Sequence, residues 1–340
     1  MSGTLMAAEM NEQPEALARL VERFGEDVAR VCAVLPERLS GIVFVARGSS
    51  DHAAVFGRYL AEMAAGRPAG LAAPSLHTLY DVHIDYSGYL AVALSQSGAT
   101  PEIITVCQRM RSTGARVVAI TNNAASPLAS AADVVLALAA GEERAVPATK
   151  TVTSQLLAVA AVAAALGAVP FTMSELQALP GHVSTVLKDD ASPLRLAEQW
   201  ADTNRLYVVA RGLLYAAALE AALKVKETTG VLAEGFSAAD VRHGPVAAID
   251  AGVPALLLDG GGPASHDITD LRDLLHRRGA RTALCSAAPG ADLPVPQDVP
   301  ESLATILATV RGQQLALSLA QLRGRDPDAP FGLSKVTRTH

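Results

Sequence analysis

Val45-Ala46-Arg47-Gly48 recurs as Val209-Ala210-Arg211-Gly212, an offset of 164 residues in a chain of 340. Gly66 pairs with Gly230 at the same offset, and Gly114-Ala115-Arg116 pairs with Gly279-Ala280-Arg281 at 165. Landmarks that keep register across a whole domain length mark one domain written twice. Around them, short apolar runs alternate with helix-length stretches. In the first copy these are Gly41 to Ala46, Asp51 to Ala65, Tyr89 to Leu94, Pro101 to Ser112 and Arg116 to Ile120. In the second they are Leu206 to Ala210, Tyr215 to Thr228, Ala255 to Leu258, Asp267 to Arg278 and Arg281 to Cys285. Such alternation predicts parallel sheets covered on both faces. The expected fold is α/β: two tandem flavodoxin-like three-layer α/β/α domains over 41–168 and 201–325. A helical segment (1–40), a helical linker (169–200) and a tail (326–340) complete the chain.

Composition narrows the function. Half the residues are apolar but only 4% aromatic, and 18% are charged. This excludes a disordered chain, a coiled coil and an aromatic-faced nucleic-acid platform. The net charge of −6 gives no footprint for nucleic acid or an acidic membrane surface, so any bound anion is small and locally held. Cys32, Cys107 and Cys285 are odd in number and form no CxxC pair, which fits a reducing cytoplasm rather than a disulfide framework. Met1 to Glu9 carries no basic signal-peptide start. The apolar run Leu156 to Phe171 is shorter than the roughly 20 residues a spanning helix needs and reads as a buried helix.

The run Tyr89 to Leu94 feeds Ser95-Gln96-Ser97-Gly98-Ala99-Thr100-Pro101-Glu102, after which a helix begins. A strand end leading into a helix N-terminus, with three hydroxyls and a glycine, makes a small anion trap without a lysine. The same residues also suit plain capping: Thr100 as N-cap, Pro101 at the first helical position, Glu102 facing the dipole. The matching place in the second copy, Asp259-Gly260-Gly261-Gly262, has no hydroxyls, so a phosphate site belongs to the first.

Ser95 to Thr100 resembles the SxSGxT signature of SIS (sugar isomerase) domains. From about Glu9 onward the chain resembles the isomerase half of glutamine-fructose-6-phosphate aminotransferase and stand-alone glucosamine-6-phosphate deaminases. The resemblance is carried by Gly48-Ser49-Ser50, Val146-Pro147-Ala148-Thr149-Lys150, Ala222 to Glu227, His243-Gly244-Pro245 and Leu333-Ser334-Lys335. It implies that Ser95, Gln96, Ser97 and Thr100 hold a sugar 6-phosphate, with Ser50 and the Val146 backbone near the sugar. It further implies a homodimer in which His243 completes the partner's site, and no cofactor.

Moving a carbonyl between adjacent sugar carbons needs a ring-opening group, a proton carrier and stabilisation of an enediol-like charge. The resemblance assigns the proton carrier to Glu227, ring opening to His243, a cation near the developing charge to Lys224, and closure over the sugar with a possible Schiff base to Lys335. The residues themselves leave another reading open. Glu220, Glu227 and Glu234 recur every seven residues, and Glu220 with Lys224 is an i, i+4 pair, as in a solvated salt-bridge stripe. His243 precedes Gly-Pro and belongs on a loop. Lys335 lies in a polar tail that alone reads as disordered. Arg47 and Arg211 read as structural, and His77 and His83 lack metal-ligand companions, so no metal is expected.

Two departures matter. Ala148 replaces a serine of the synthase pattern, and the tail Gly332 to Thr339 looks closer to the stand-alone deaminases. The opening Met1-Ser2-Gly3 lacks the nucleophilic cysteine of a glutaminase domain, so none is expected. The expected activity is aldose-ketose isomerisation with deamination of glucosamine 6-phosphate to fructose 6-phosphate and ammonia. The alternatives are isomerisation or deglycation of another phosphosugar, such as a fructosamine 6-phosphate, and a non-catalytic sugar-phosphate sensor.

Overall fold

The computed structural model describes residues 3–335. Three helices open the chain: α1 (Thr4–Asn11), α2 (Gln13–Glu22) and α3 (Phe24–Cys32). The first sandwich follows as β1 (Gly41–Val45), α4 (Ser49–Ala65), β2 (Ala69–Leu71), α5 (Pro74–Thr78), β3 (Tyr89–Leu94), α6 (Pro101–Ser112), β4 (Arg116–Thr121), α7 (Pro127–Ser130), β5 (Val134–Ala137) and α8 (Lys150–Leu166). Next come α9 (Met173–Lys188) and α10 (Ala191–Trp200). The second sandwich is β6 (Arg205–Ala210), α11 (Tyr215–Thr229), β7 (Leu232–Ser237), α12 (Ala238–Arg242), β8 (Pro254–Leu258), α13 (Ser265–Arg277), β9 (Arg281–Ser286), β10 (Leu293–Pro294) and α14 (Glu301–Leu322).

Both sheets have five strands, all pairings parallel, in the orders β2-β1-β3-β4-β5 and β7-β6-β8-β9-β10. Each is therefore the flavodoxin-like order 2-1-3-4-5, whose direction reverses between its first and third strands. The duplication holds strand for strand. Its glycine landmarks share a physical cause: Gly66 and Gly230 both end a helix in the left-handed region, at φ 57° and 72°, where a side chain would be strained.

The central strands are buried on both faces, as their unbroken apolar runs require. In the first sandwich Val43, Val45, Ala91 and Ala93 pack against Ile103, Val106 and Met110 of α6. In the second, Val209, Ala255 and Leu257 pack against Ile268, Leu271 and Leu275 of α13. The edge strands β2, β5 and β7 are only partly buried. The expected helix over Leu156 to Phe171 is α8, which begins earlier, at Lys150, and ends at Leu166. Among the described residues no helix is long and apolar enough to cross a membrane.

Residues 15–143 with 150–169 form one compact unit around the first sheet, and 3–14, 144–149 and 170–335 form a second. Within the second unit, polar bonds tie distant segments together. The buried Glu9 of α1 accepts the Arg144 and Ala145 N–H groups. The Asp328 carboxylate accepts the Leu5 and Met6 N–H groups at the start of α1, at 3.1 and 2.8 Å, and its carbonyl accepts Val146 N–H at 3.0 Å. The stretch around Asp328, which reads as disordered by composition, is thus anchored by capping a helix. Val336 to Thr339 of the tail motif lie outside the described residues.

Candidate functional site

In the first unit, the loops after β1 and β3 both leave the carboxyl edge of the sheet at its switch point, where ligands of open α/β sheets bind. The loop after β3 is shaped by Ser95, which is buried and whose hydroxyl accepts Gly98 N–H at 3.2 Å and lies 3.4 Å from the Thr100 hydroxyl. Ser97 Oγ accepts Ala99 N–H at 3.3 Å, and the Gln96 carbonyl takes Asn122 N–H and the Thr121 hydroxyl. Thr100 stands at the N-cap of α6, yet its side chain makes no capping bond. Side-chain capping by Thr100 therefore does not account for this loop, which leads into the N-terminus, the positive end, of α6.

Gly98, at φ 62°, is required twice over: a Cβ there would lie 2.1 Å from Ser126 Oγ. Gly98→Ala is expected to cost about 1 to 2 kcal/mol in backbone strain, with further loss from pushing the loop off Ser126. Gly66→Ala is the control, because it has a similar φ and open space where its Cβ would go. Thermal melting should fall further for Gly98→Ala than for Gly66→Ala.

Across the switch point, Ser50 in the first turn of α4 is buried, and its hydroxyl accepts Gln155 Nε2 of α8 at 2.9 Å. The two loops are tied by Arg47, at the end of β1. Its Nε and Nη2 each lie 3.0 Å from a Glu102 oxygen in the first turn of α6. The partner of Arg47 is thus the carboxylate read as facing the α6 dipole.

The equivalent place in the second unit is filled by the protein itself. Asp259 Oδ1 accepts Gly261 N–H at 2.9 Å and the Ser265 hydroxyl at 2.6 Å. Glu301, at the start of α14, packs so closely that a Cβ on Gly262 would lie 1.9 Å from its Oε2. Burial, with Asp259 nearby, holds the Glu301 pKa above its ordinary value despite the Leu213 N–H it accepts. A phosphate would meet two carboxylates here.

The second unit instead carries the candidate acid-base groups. On α11, Lys224 is fully buried, with Nζ 3.4 Å from Glu220 Oε1 and in direct contact with Glu227 Oε2. Glu220 is 2% exposed, whereas the Glu227 side chain keeps 22% of its surface open. This is a buried ionic cluster with one open end. The solvated-stripe alternative is corrected on two counts: Glu220 and Lys224 are interior, and Glu234 lies on β7, since α11 ends at Thr229. Burial works to lower the Lys224 pKa, but the Glu220 and Glu227 charges prevail and hold it above its ordinary value, so the lysine stays cationic. Gly312 of α14 packs against Ala221, where a Cβ would meet the Ala221 Cβ at 2.6 Å, and so lets the two helices approach closely.

His243 is exposed just beyond α12, its N–H donating to the Asp240 carbonyl at 3.0 Å, and Gly244 follows at φ 143°. Val146 donates its N–H to the Asp328 carbonyl. Lys335, half-buried, is the last described residue. His77 is buried and pairs with the Tyr86 hydroxyl at 3.1 Å. The sequence reading missed Gln155 behind Ser50 and the carboxylate partners of both arginines. Only the repeat could have flagged the latter, since Glu102 and Asp267 occupy matching helix starts.

Comparison with known proteins agrees with this architecture. The SIS domain model matches residues 40–165 and 200–293. The glutamine-fructose-6-phosphate aminotransferase of Methanothermobacter thermautotrophicus is 32% identical over 340 residues, covering 97% of this chain and 56% of that protein. That of Thermococcus kodakarensis is 33% identical over 345 residues, covering 97% and 57%. The chain thus spans little more than half the length of these curated relatives. A candidate phosphosugar isomerase from Silicibacter pomeroyi DSS-3 superimposes with a TM-score of 0.84 at 32% identity, covering 96% of this chain and all of that one. The glucosamine-6-phosphate deaminase of Thermotoga maritima shares the fold, with a TM-score of 0.80 at 22% identity, covering 99% and 100%. With both copies matched, this chain belongs to the SIS domain family and is related to the aminotransferases and phosphosugar isomerases it resembles.

Proposed function

We propose that this protein is a phosphosugar isomerase that deaminates an amino-sugar 6-phosphate, converting glucosamine 6-phosphate to fructose 6-phosphate and ammonia. The observation that carries this reading is the buried Glu220, Lys224, Glu227 cluster with only Glu227 open to solvent. A sensor needs a phosphate site but has no use for a clamped carboxylate. In the proposed reaction the hydroxyls of Ser95, Ser97 and Thr100, the Gln96 amide and the α6 terminus hold the phosphate. His243 opens the ring, and Ser50 and the Val146 carbonyl position the sugar. Glu227 takes the C2 proton of the open aldehyde and returns a proton to C1, while Lys224 stabilises the negative charge that develops on the enol oxygen. The resulting C2 imine adds water, its C–N bond breaks, ammonia leaves, and a C2 ketone remains. Lys335 closes over the sugar, and a homodimer in which His243 serves the partner's site is part of the proposal.

The test is direct: the full chain incubated with glucosamine 6-phosphate should release ammonium and fructose 6-phosphate in equal amounts. Ketose from a fructosamine 6-phosphate, with glucosamine 6-phosphate inert, would move the assignment to a deglycase. Binding without turnover of any amino-sugar phosphate would make the protein a sensor.

A further inference from the structure

We infer that Asp267 is a positioning residue for His243, acting through Arg242; the inference rests on the role proposed above for His243. Asp267 lies in the first turn of α13. One carboxylate oxygen, Oδ1, takes Arg242 Nη1 at 2.6 Å, and its carbonyl takes Arg242 Nη2 at 3.1 Å. The other, Oδ2, is in contact with Arg211 Nη1. Arg242 directly precedes His243, so the guanidinium fixes the chain on one side of the imidazole and the Gly244-Pro245 turn fixes it on the other.

The duplicated fold supplies the comparison. In the first copy, Glu102 at the equivalent helix start takes Arg47 Nε and Nη2, one on each oxygen. In the second copy, the corresponding carboxylate divides its oxygens between Arg211, the counterpart of Arg47, and Arg242. A strut common to both domains has been extended to the residue beside His243. Burial acts to raise the Asp267 pKa, but bonds and charges from Arg211 and Arg242 prevail and hold it below the ordinary carboxylate range, so the anion persists at neutral pH. Helix α12 does not need this strut to stay folded, because Ala238 and Val241 anchor it in the core beside Ile268. Loss of the strut should therefore loosen the end of α12, where His243 begins.

The experiment compares Asp267→Asn, His243→Ala and the double variant of the full chain, in steady-state turnover of glucosamine 6-phosphate and in thermal melting. Asp267→Asn should lower kcat roughly tenfold with little change in KM, as expected for a misplaced acid-base group. It should have no further effect in the His243→Ala background, since residues acting as one unit are not additive. Arg242→Gln, which removes the same bonds from the other side, should reproduce the loss, and Arg242→Lys should recover part of it. Glu102→Gln, the counterpart in the other copy, should combine additively with His243→Ala. An Asp267→Asn loss equally large with and without His243, or an Asp267→Asn and Arg242→Gln pair with unchanged kcat, overturns the inference and leaves the His243 role standing. Unchanged turnover in His243→Ala overturns that role first.

Discussion

Glu227→Gln is expected to lower kcat for glucosamine 6-phosphate by about 10² to 10⁴, the range that one positioned acid-base group supplies. Binding of the sugar phosphate should survive, because the hydroxyls and the helix terminus proposed to hold the phosphate lie elsewhere in the sequence. The amide keeps the shape of the carboxylate and can still accept a bond from Lys224, so folding should be little changed. It cannot carry a proton between carbons. Calorimetric titration with glucosamine 6-phosphate alongside the product assay separates the two effects. Equal loss of binding and turnover would mean that Glu227 serves the architecture of α11 rather than the chemistry.

Lys224→Met has the largest expected effect on stability. Removing one member of a buried ionic cluster strands its partners, which typically costs about 3 to 5 kcal/mol. For a protein of this size that is a fall in melting temperature on the order of 10 °C. The pH dependence should change as well. In the parent, the Lys224 pKa is raised, so its contribution is complete below the ordinary lysine value and is lost only as pH climbs through the higher folded value. The parent is thus insensitive to this cluster near neutrality. In Lys224→Met the buried Glu220 loses its cation, its folded pKa rises above the unfolded one, and the protein should gain stability as pH falls through that raised value. The double variant Lys224→Met/Glu220→Gln should recover much of the loss at pH 8. A melting temperature unchanged by Lys224→Met would show that the cluster is not held as described.

The sandwich cores were readable because their signals are local and continuous. Tyr89 to Leu94 and Pro101 to Ser112 end where the sequence places them, since an unbroken apolar run and a Thr-Pro-Glu helix start leave little freedom. The edge strand β7 was not readable: it reads Leu-Ala-Glu-Gly-Phe-Ser, interrupted by polar residues because one side of an edge is wet. The burial of Glu220 and Lys224 was obscured by their ion-pair spacing, which is also that of an exposed stripe. The contrary signal lay beside them, because Ala216, Ala217, Ala218, Ala221 and Ala222 leave α11 apolar almost all round, as a helix packed on several sides must be. The three-way strut at Asp267 had no local signal, since Arg211, Arg242 and Asp267 meet only through the topology of β6, α12 and α13.

The proposed reaction turns on one proton, and deuterium at C2 of glucosamine 6-phosphate follows it. With that substrate, turnover by the full chain should slow severalfold. The fructose 6-phosphate formed should carry the label at C1 or have released it to water, with one ammonium per ketose and none from Glu227→Gln. Ammonium and ketose formed at the same rate by the parent and Glu227→Gln, or neither formed by the parent although the substrate binds, would contradict it.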